Sequence, residues 1–593
     1  MIARPKRAIT LCFRANSVRP YNGCVLPLRD MKPTDKSKFE IKKGTIMNAR
    51  IQILNGIPTT VINGKPIPEM AYITYRTDHN CYEDFARVGV KLYSVNLNFS
   101  EMPINERAPV LVFQKGIFEH EAPDFSIVDH NFGQILEACP DAYIFPRVNV
   151  NLSEAWEKAH PEELCEKGFG DRCRVSYASD VWAEEVKREL SLLIEYIENS
   201  PFADHVIGYQ IAGGNTEEWL PLDPQSGYGP RAHEKFMAFC KQKQLTPDEE
   251  SYYTFASELL ASRILEFSEH TKQATNGQKL VGVFYGYTLS SNRAYCHHAL
   301  GEVLRSDAVD FLCSPVTYQD TRAAGIDPWP MLPVASLRLH SKLYFSENDI
   351  RTHLSRPVHD HPNYVKPVWY GHEKTVSTEQ LKLSFCRALI YGYAMWWFDM
   401  WGGWYHDDDY MALMAKMQDI VKDGMDVPAC EVALVMDEAS YSACRDGGVL
   451  PETARAMGLV GAPYDAYLAS DFDEICDRYR AFVFVKVVES DLIHTCIGKA
   501  NAAGKAVKVI TAEDRPVSTE SLKAFFKQAG VAPLTEKKAV VYEGARFVSL
   551  YTAEDGVYDF EVDGQRRLVD RFTGETITFP AVLPKYRCLL FER

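Results

Sequence analysis

A regular alternation between residues 70 and 425 constrains the fold of this chain more than any other feature of its sequence. Short apolar runs of strand length alternate there with amphipathic stretches of helix length. Strands that are apolar along their whole length and alternate with helices require a parallel sheet covered by helices. Eight such units in succession predict a (β/α)8 barrel. The eight predicted strands cover residues 71–76, 91–97, 142–150, 206–214, 280–288, 310–318, 342–349 and 393–400.

Helical periodicity between these strands supports the prediction. In residues 183–198, the apolar side chains of Val186, Leu190 and Leu193 recur on one helical face. Ser377 and Gln380 are spaced as in a capping box, which predicts a helix that begins near Ser377. No phosphate-binding GxGxxG or Walker A pattern follows the first strand, so the sequence argues against a nucleotide-binding sheet.

The rest of the chain predicts three smaller parts around a barrel that covers residues 66–427. Residues 1–65 contain strand-like pieces separated by Pro, Gly and Asn, which predict an N-terminal β extension. Residues 428–535 contain four strand-like runs with helical stretches between them, a pattern typical of a flavodoxin-like α/β domain. Short alternating strands in residues 536–593 predict a small C-terminal antiparallel β domain.

Composition and charge exclude several classes of partner. The net charge is −15 at pH 7, and an acidic surface repels nucleic acid and anionic membranes. No apolar run approaches the roughly 18 residues that a membrane span needs, and the first residues lack the apolar stretch of a signal peptide. The 15 cysteines include no CxxC pair, which fits reduced thiols. We therefore expect a cytoplasmic protein without a metal site or a cofactor.

The carboxyl ends of the predicted strands carry the candidate chemistry, because the active sites of parallel barrels lie there. Strand four is followed by GGNTEEWL, which contains Glu217 and Glu218, and strand seven ends in FSENDIRT, which contains Glu347. Retaining glycosidases use two carboxyl groups about 5–5.5 Å apart, one to attack the anomeric carbon and one to protonate the leaving oxygen. The pattern indicates Glu347 as the nucleophile and Glu218, with Glu217 as the alternative, as the acid/base.

Further side chains at the same strand ends are predicted to bind substrate. Burial beside Trp219 is expected to raise the pKa of the acid, and Arg147 or Arg351 is expected to keep the nucleophile ionised. For Arg147, a structural salt bridge inside the barrel is the alternative. Asp349 and Arg351 are predicted to form an ion pair behind the nucleophile. The predicted substrate-binding residues are Arg147, Asn149, Asn215, Trp219, Tyr285, Tyr318, Asp349, Arg351 and, as an apolar surface for a sugar ring, Trp397.

At GGNTEEW and FSENDIRT the sequence resembles the retaining β-glycosidases of glycoside hydrolase clan A, and most nearly β-galactosidase family 42 and its relatives. The resemblance implies that the acid/base ends strand four, that the nucleophile ends strand seven, and that Tyr318 hydrogen-bonds the nucleophile. The order of the parts is also similar to family 42, which implies a homotrimer joined through the flavodoxin-like domain. In the clan an asparagine directly precedes the acid/base, whereas Asn215 precedes Glu217 by two residues. The choice between Glu217 and Glu218 therefore stays open.

The expected activity is the hydrolysis of short oligosaccharides by a retaining, exo-acting β-glycosidase. Long segments after strands three and six, at residues 151–180 and 319–340, are expected to wall the pocket. A β-galactoside is the leading substrate, followed by β-mannosides, β-glucosides and β-glucuronides. A non-catalytic carbohydrate-binding barrel is the alternative of another class, and it does not need two facing carboxylates. A metal-dependent amidohydrolase is disfavoured, because the His-x-His at residues 359–361 lies well past strand seven.

Overall fold

A computed structural model describes residues 47–103, 113–165, 174–214, 216–221, 229–290, 292–318, 322–355, 371 and 373–593. The described chain begins with an antiparallel sheet of three strands, Ala49–Leu54, Ile57–Ile62 and Lys65–Pro66. Two Asn-Gly turns join these strands, and both residues of each turn have positive φ, as tight two-residue hairpins require. The strand-like piece predicted at residues 9–15 lies outside the described residues.

Eight parallel strands close into a barrel, which confirms the predicted fold class. Each strand pairs in parallel with the next, and strand eight pairs with strand one. Every strand overlaps a segment where the sequence predicts one, and none extends beyond its segment by more than one residue. Barrel strands one to eight are Met70–Ile73, Leu92–Ser94 with Asn96–Asn98, Tyr143–Ile144 with Arg147–Asn149, Gly208–Ala212, Leu280–Val283, Phe311–Pro315, Leu343–Asn348 and Ala394–Phe398.

Helices cover the outside of the barrel. Among the described residues, none of them is both long and apolar enough to cross a membrane. The predicted helix at 183–198 is observed, and its Val186, Leu190 and Leu193 are buried. A two-stranded ribbon, Met102–Pro103 with Phe113–Gln114, lies after strand two. The α-helices that the structure describes in this part are Tyr82–Arg87, Ser126–Ala138, Glu154–Ala159, Asp180–Glu198, Gly229–Lys243, Glu249–Ala274, Leu300–Arg305, Val334–Leu339, Lys374–Tyr391 and Asp408–Val421.

The predicted capping box at Ser377 is wrong. The helix begins three residues earlier, at Lys374, and Glu373 is the residue that precedes its first turn. Ser377 is fully buried inside the helix. The helix ends at Tyr391, and the following Gly392 has a left-handed φ of 65°, which suits a residue without a Cβ atom.

Aromatic side chains fill the interior of the barrel. Phe145, Phe311 and Phe345 contact one another with ring centroids 5.3–5.9 Å apart. Trp396 of strand eight stacks on Phe345 at 5.4 Å. These rings form the floor on which the polar residues at the carboxyl ends of the strands lie, and they keep water out from below.

A second, parallel sheet follows the barrel and has the strand order 2-1-3-4 of a flavodoxin-like fold. Its strands, in chain order, are Val432–Met436, Asp465–Leu468, Ala481–Val485 and Ala506–Ile510. All four are parallel and fall where the sequence predicts strands. The helices that connect and follow them are Glu438–Ala443, Val449–Gly458, Phe472–Ile475, Asp491–Ala502 and Thr519–Gln528.

The C-terminal part is antiparallel. Its main sheet contains the strands Ala539–Glu543, Phe547–Thr552 and Cys588–Glu592. Two ribbons complete it, Gly556–Tyr558 with Ala581–Leu583 and Arg567–Val569 with Thr576–Thr578. The alternation of buried and exposed side chains along these ribbons is that of sheets with one face on the core.

Buried polar contacts join the three parts, which belong to one compact unit of residues 44–593. Arg387, on a barrel helix, pairs with the buried carboxylate of Asp327. Tyr542 of the C-terminal sheet donates to the same carboxylate at 2.6 Å. Arg338, on another barrel helix, donates to Asp465 of the flavodoxin-like sheet at 3.1 Å. Charged groups of the barrel therefore have partners in both smaller sheets.

Candidate active site

The turn after barrel strand four has an uncommon backbone conformation. Thr216, Glu217 and Trp219 all have φ between 56° and 65°, a left-handed region that residues with side chains rarely adopt. Each such residue costs on the order of 1–3 kcal/mol and persists only where the surroundings hold it. The backbone N–H of Trp219 donates to the carbonyl of Gly213 at 2.7 Å, and its indole N–H donates to a strand-four carbonyl at 3.0 Å. Backbone strain of this kind is a feature of functional sites.

Glu217 is fully buried and faces strands two and three. Asn96 donates to one carboxylate oxygen at 2.5 Å, and Asn149 donates to the other at 3.4 Å. The guanidinium group of Arg147 lies 3.7 Å from the same carboxylate. Burial raises the pKa of Glu217 to about 7, although Arg147 and the two asparagines oppose this shift. Both oxygens of Glu217 thus have partners within the protein.

Glu218 lies near Glu347 and has different surroundings from Glu217. Its carboxylate accepts hydrogen bonds from the hydroxyl groups of Thr216 and Tyr287. Burial and, second, the negative charge of Glu347 raise the pKa of Glu218 to about 8. A carboxyl group with this pKa keeps its proton at neutral pH, which is the state that a general acid requires.

Glu347 ends barrel strand seven and forms a buried ion pair with Arg147 of strand three. The guanidinium nitrogen Nη2 lies 3.0 Å from the carboxylate. Burial raises the pKa of Glu347, whereas the charge of Arg147 opposes the rise. Arg147 also donates to the Tyr75 hydroxyl at 3.3 Å and lies 5.2 Å from the ring centre of Trp396. Since a guanidinium group stays charged in proteins, Arg147 favours the carboxylate form that a nucleophile needs.

Two arginines hold Asp349 just beyond Glu347. Arg351 forms the predicted ion pair with Asp349 at 2.8 Å, and both side chains are buried. Arg322 pairs with the other carboxylate oxygen, and its guanidinium group lies 4.0 Å from the ring centre of Tyr318. This group of charges links the end of strand seven to Tyr318, which follows strand six. Asp349, Arg351 and Tyr318 are therefore brought together beside Glu347.

Aromatic rings border the carboxyl groups. Tyr75 packs edge-on against Phe398, with ring centroids 5.0 Å apart, and lies 6.1 Å from Trp401. On the other side, Tyr318 stacks with Tyr287 at 6.5 Å. Mostly apolar walls with a few convergent polar groups are typical of small-molecule binding sites. Tyr75, Thr216 and Arg322 have no signal of their own in the sequence beyond lying near strand ends, whereas Trp401 belongs to the group of tryptophans at strand eight from which the prediction chose Trp397.

Trp397 does not reach the carboxyl groups, although the sequence favours it over its neighbours. Its ring packs against Tyr405, which belongs to the loop after strand eight. Side chains alternate between the two faces of a strand, and Trp396 is the residue registered with Glu347 on the neighbouring strand. Trp396 and Phe398 therefore face the barrel interior beside Arg147, and Trp397 faces outward.

Trp219 and Tyr285 also lie away from the carboxyl groups. Trp219 is fully buried and stacks on Phe267 of the helix Glu249–Ala274, with ring centroids 6.0 Å apart. The Tyr285 hydroxyl is held by backbone groups, since it donates to the carbonyl of residue 296 and accepts from the amide of residue 299. Both aromatic rings are therefore packing elements of the barrel wall. Asn215 lies outside the described residues.

The charge of Arg147 should matter strongly for stability. Replacement by methionine leaves Glu217 and Glu347 buried without their shared cation, and we expect the free energy of unfolding to fall by about 3–5 kcal/mol. The measurement is urea denaturation at pH 7.5. The control variant Arg76→Met removes the exposed Arg76–Asp78 pair and should cost less than about 1 kcal/mol. Equal denaturation midpoints for Arg147→Met and wild type would contradict the assignment of Arg147 as the shared counter-ion.

These observations define the class of fold: a (β/α)8 barrel with carboxyl groups at the ends of strands four and seven, followed by a flavodoxin-like and an antiparallel part. No protein-family model matches the sequence, and no curated protein matches it. Solved structures do match. The β-galactosidase from Bacillus circulans sp. alkalophilus is similar with a TM-score of 0.58 and 11% sequence identity, over 89% of this chain and 99% of that chain.

Two structures that carry the family 42 name give the same result. A β-galactosidase from G. stearothermophilus has a TM-score of 0.58 and 11% identity, over 88% of this chain and 98% of that chain. An exo-carrageenase from Bacteroides ovatus has a TM-score of 0.56 and 10% identity, over 92% of this chain and 85% of that chain. The likeness extends over the barrel and both smaller parts, so the predicted resemblance to family 42 is confirmed at the level of the fold.

Proposed function

We propose that this protein is a retaining β-glycoside hydrolase that removes single sugars from the ends of short oligosaccharides. The observation that carries the proposal is the pair formed by Glu218 and Glu347. Burial and the charge of Glu347 keep Glu218 protonated at neutral pH, while Arg147 favours the ionised form of Glu347. A protonated carboxyl group beside one that is paired with an arginine is the arrangement that the acid and the nucleophile of a retaining glycosidase need, and it supports these two roles.

The reaction runs in two displacements. Glu347 attacks the anomeric carbon, the bond from that carbon to the glycosidic oxygen breaks, and Glu218 transfers its proton to the departing oxygen. The product of this step is a glycosyl-enzyme. Glu218, now ionised, takes a proton from water, whose oxygen attacks the anomeric carbon and releases Glu347. Each displacement inverts the anomeric carbon, so the sugar leaves with its original configuration.

A β-galactoside is the favoured substrate. Its support is the fold, since two of the similar structures are β-galactosidases by name. β-Mannosides, β-glucosides and β-glucuronides remain alternatives, because the same carboxyl pair serves any of these sugars. We also propose a homotrimer joined through the flavodoxin-like sheet and a cytoplasmic location. All the cysteines that the structure describes are free thiols, which suits a reducing compartment.

A panel of nitrophenyl glycosides tests the proposed function. We expect release of nitrophenol from at least one β-glycoside, with the β-galactoside fastest and the matching α-glycosides inert. The product anomer, followed by proton NMR during the first turnovers, should be β, because two inversions retain the configuration. The alternative of another class, a non-catalytic carbohydrate-binding barrel, predicts binding of sugars without release of nitrophenol. An α anomer as the first product would show that the enzyme inverts the configuration, and it would contradict the retaining mechanism.

A further inference from the structure

Outside the barrel mouth, three side chains with metal-binding groups come together. The thiol of Cys81, a carboxylate oxygen of Asp84 and a ring nitrogen of His406 all lie within 4.8 Å of one another. Cys81 directly precedes the helix Tyr82–Arg87, and His406 lies in the loop after barrel strand eight. Cys81 is buried, Asp84 is half-buried and His406 is exposed. The cluster therefore reaches from the protein interior to the solvent, so a metal ion can enter it from solution.

The backbone around these groups is held in place. Asp399, at the end of strand eight, accepts hydrogen bonds from the backbone N–H groups of Gly403 and Trp404 at 2.9 Å and from the Tyr72 hydroxyl at 2.7 Å. The same Tyr72 hydroxyl accepts a hydrogen bond from the backbone N–H of Cys81 at 2.8 Å. These bonds fix the loop that carries His406 relative to Cys81, so the cluster is preorganised.

A cavity of about 260 Å³ opens beside the cluster, and Cys81, Asp84 and His406 all line it. Gln134 and Glu137, from the helix Ser126–Ala138, line its other wall. The side-chain oxygen of Gln134 is buried and has no hydrogen-bond partner among the described residues. The cavity leaves room for water beside the three side chains of the cluster.

From this arrangement we propose that Cys81, Asp84 and His406 bind one Zn²⁺ ion. A mixed set of thiolate, imidazole and carboxylate suits Zn²⁺, whereas Mg²⁺ and Ca²⁺ take oxygen ligands. Three protein ligands leave the fourth tetrahedral position to water on the cavity side. This site is separate from Glu218 and Glu347, and the proposed hydrolysis does not use it.

The geometry needs only a small adjustment. His406 Nδ1 lies 2.7 Å from Asp84 Oδ2, whereas nitrogen and oxygen ligands of a tetrahedral Zn²⁺ lie about 3.3 Å apart, given bond lengths of about 2.0–2.1 Å. The His406 side chain is 77% exposed and is free to make this movement. Arg87 donates to the other oxygen, Asp84 Oδ1, at 3.0 Å, and so orients the carboxylate without occupying the ligand atom.

Cysteine binds Zn²⁺ as a thiolate, so Cys81 must lose its proton when the ion binds. When Zn²⁺ binds, the bond from sulfur to hydrogen breaks, the proton leaves to the buffer, and a bond from sulfur to zinc forms. The bound ion would tie the loop after strand eight to the helix Tyr82–Arg87. That loop also carries Trp401, which borders the carboxyl groups of the barrel mouth.

Titration of the purified, chelator-treated full chain with Co²⁺ tests the proposal. We expect a thiolate-to-cobalt charge-transfer band that saturates at one Co²⁺ per chain and disappears when Zn²⁺ is added. His406→Ala should weaken Co²⁺ binding by at least about tenfold, and Cys81→Ser should abolish the band. Since His406 is exposed, its replacement leaves the fold intact, and circular dichroism checks this for both variants.

The matched control is Cys139→Ser. Cys139 is a buried cysteine whose thiol donates to Asp141 at 3.4 Å, and it does not belong to the cluster. This variant should keep the full band and the affinity of the wild type. Absence of the band in the wild-type protein overturns the site. A band of unchanged strength in Cys81→Ser, or unchanged affinity in a folded His406→Ala variant, overturns it as well.

Discussion

Replacement of Glu347 by alanine should lower the hydrolysis of the best aryl β-glycoside by at least about 10⁴-fold, as removal of a nucleophile does in enzymes that form covalent intermediates. The reason is specific to the first displacement: without the carboxylate, no glycosyl-enzyme can form. The structure adds a second reason, because Arg147 then keeps a positive charge beside the anomeric carbon without the partner that lies 3.0 Å away in the wild type.

Azide distinguishes a lost nucleophile from a damaged fold. In Glu347→Ala, azide enters the space of the carboxylate and attacks the anomeric carbon once, so the product should be an α-glycosyl azide. The matched control is Glu189→Ala, which removes another buried carboxyl group whose pKa is raised to about 8. Glu189 lies on the barrel helix Asp180–Glu198, away from the strand ends. Its variant should keep the wild-type rate, and an unaltered rate in Glu347→Ala would refute the nucleophile assignment.

The second large effect concerns the acid/base. Replacement of Glu218 by glutamine should lower kcat/KM by about 10²–10⁴-fold for substrates with a poor leaving group, because the leaving oxygen then has no proton donor. A dinitrophenyl leaving group needs no proton and should lose much less. Added azide should attack the glycosyl-enzyme and give a β-glycosyl azide, the opposite anomer from that expected for Glu347→Ala.

The pH profile separates Glu218 from Glu217. Glu218 acts in its protonated form, so kcat/KM of the wild type should fall as pH rises through its pKa of about 8. On the acid side kcat/KM should fall as well, because the nucleophile Glu347 must be ionised. Glu218→Gln removes this titrating acid and should lose the alkaline fall. Glu217→Gln should keep it, because Glu217 acts through Arg147, Asn96 and Asn149 and touches no substrate in this assignment. If Glu217→Gln instead loses the fall of kcat/KM at high pH, Glu217 is the acid/base and Glu218 is not.

The fold could be predicted from the sequence almost completely, because the signal for a parallel barrel is repeated eight times along the chain. Each apolar run identifies a strand, and the ordinal of the strand places its last residue at the barrel mouth. Glu347 and Arg147 follow from this logic. For Arg147 the sequence left two interpretations open, a structural salt bridge and a role in the site. The structure shows the buried salt bridge, and its partner Glu347 is the proposed nucleophile.

What the sequence could not give is the direction of side chains and the contacts between distant segments. Strand eight is apolar on both faces, so no alternation of polarity distinguishes Trp396 from Trp397, and the prediction chose the outward residue. The choice between Glu217 and Glu218 depends on a left-handed turn that no propensity indicates. The cluster of Cys81 and His406 joins residues more than 300 positions apart, so no spacing motif announces it.

The contacts of Arg387 bear on how a chain of this kind can be rearranged in evolution. Its guanidinium group is buried, and the partners Asp327 and Tyr542 come from a barrel loop and from the C-terminal sheet. A barrel that lost this sheet would keep the Arg387–Asp327 ion pair but lose its hydrogen bonds to the Tyr542 hydroxyl, at a cost of about 1–3 kcal/mol. We therefore expect the barrel to tolerate exchange of its C-terminal sheet only where the new domain supplies a hydrogen-bonding group in place of the Tyr542 hydroxyl.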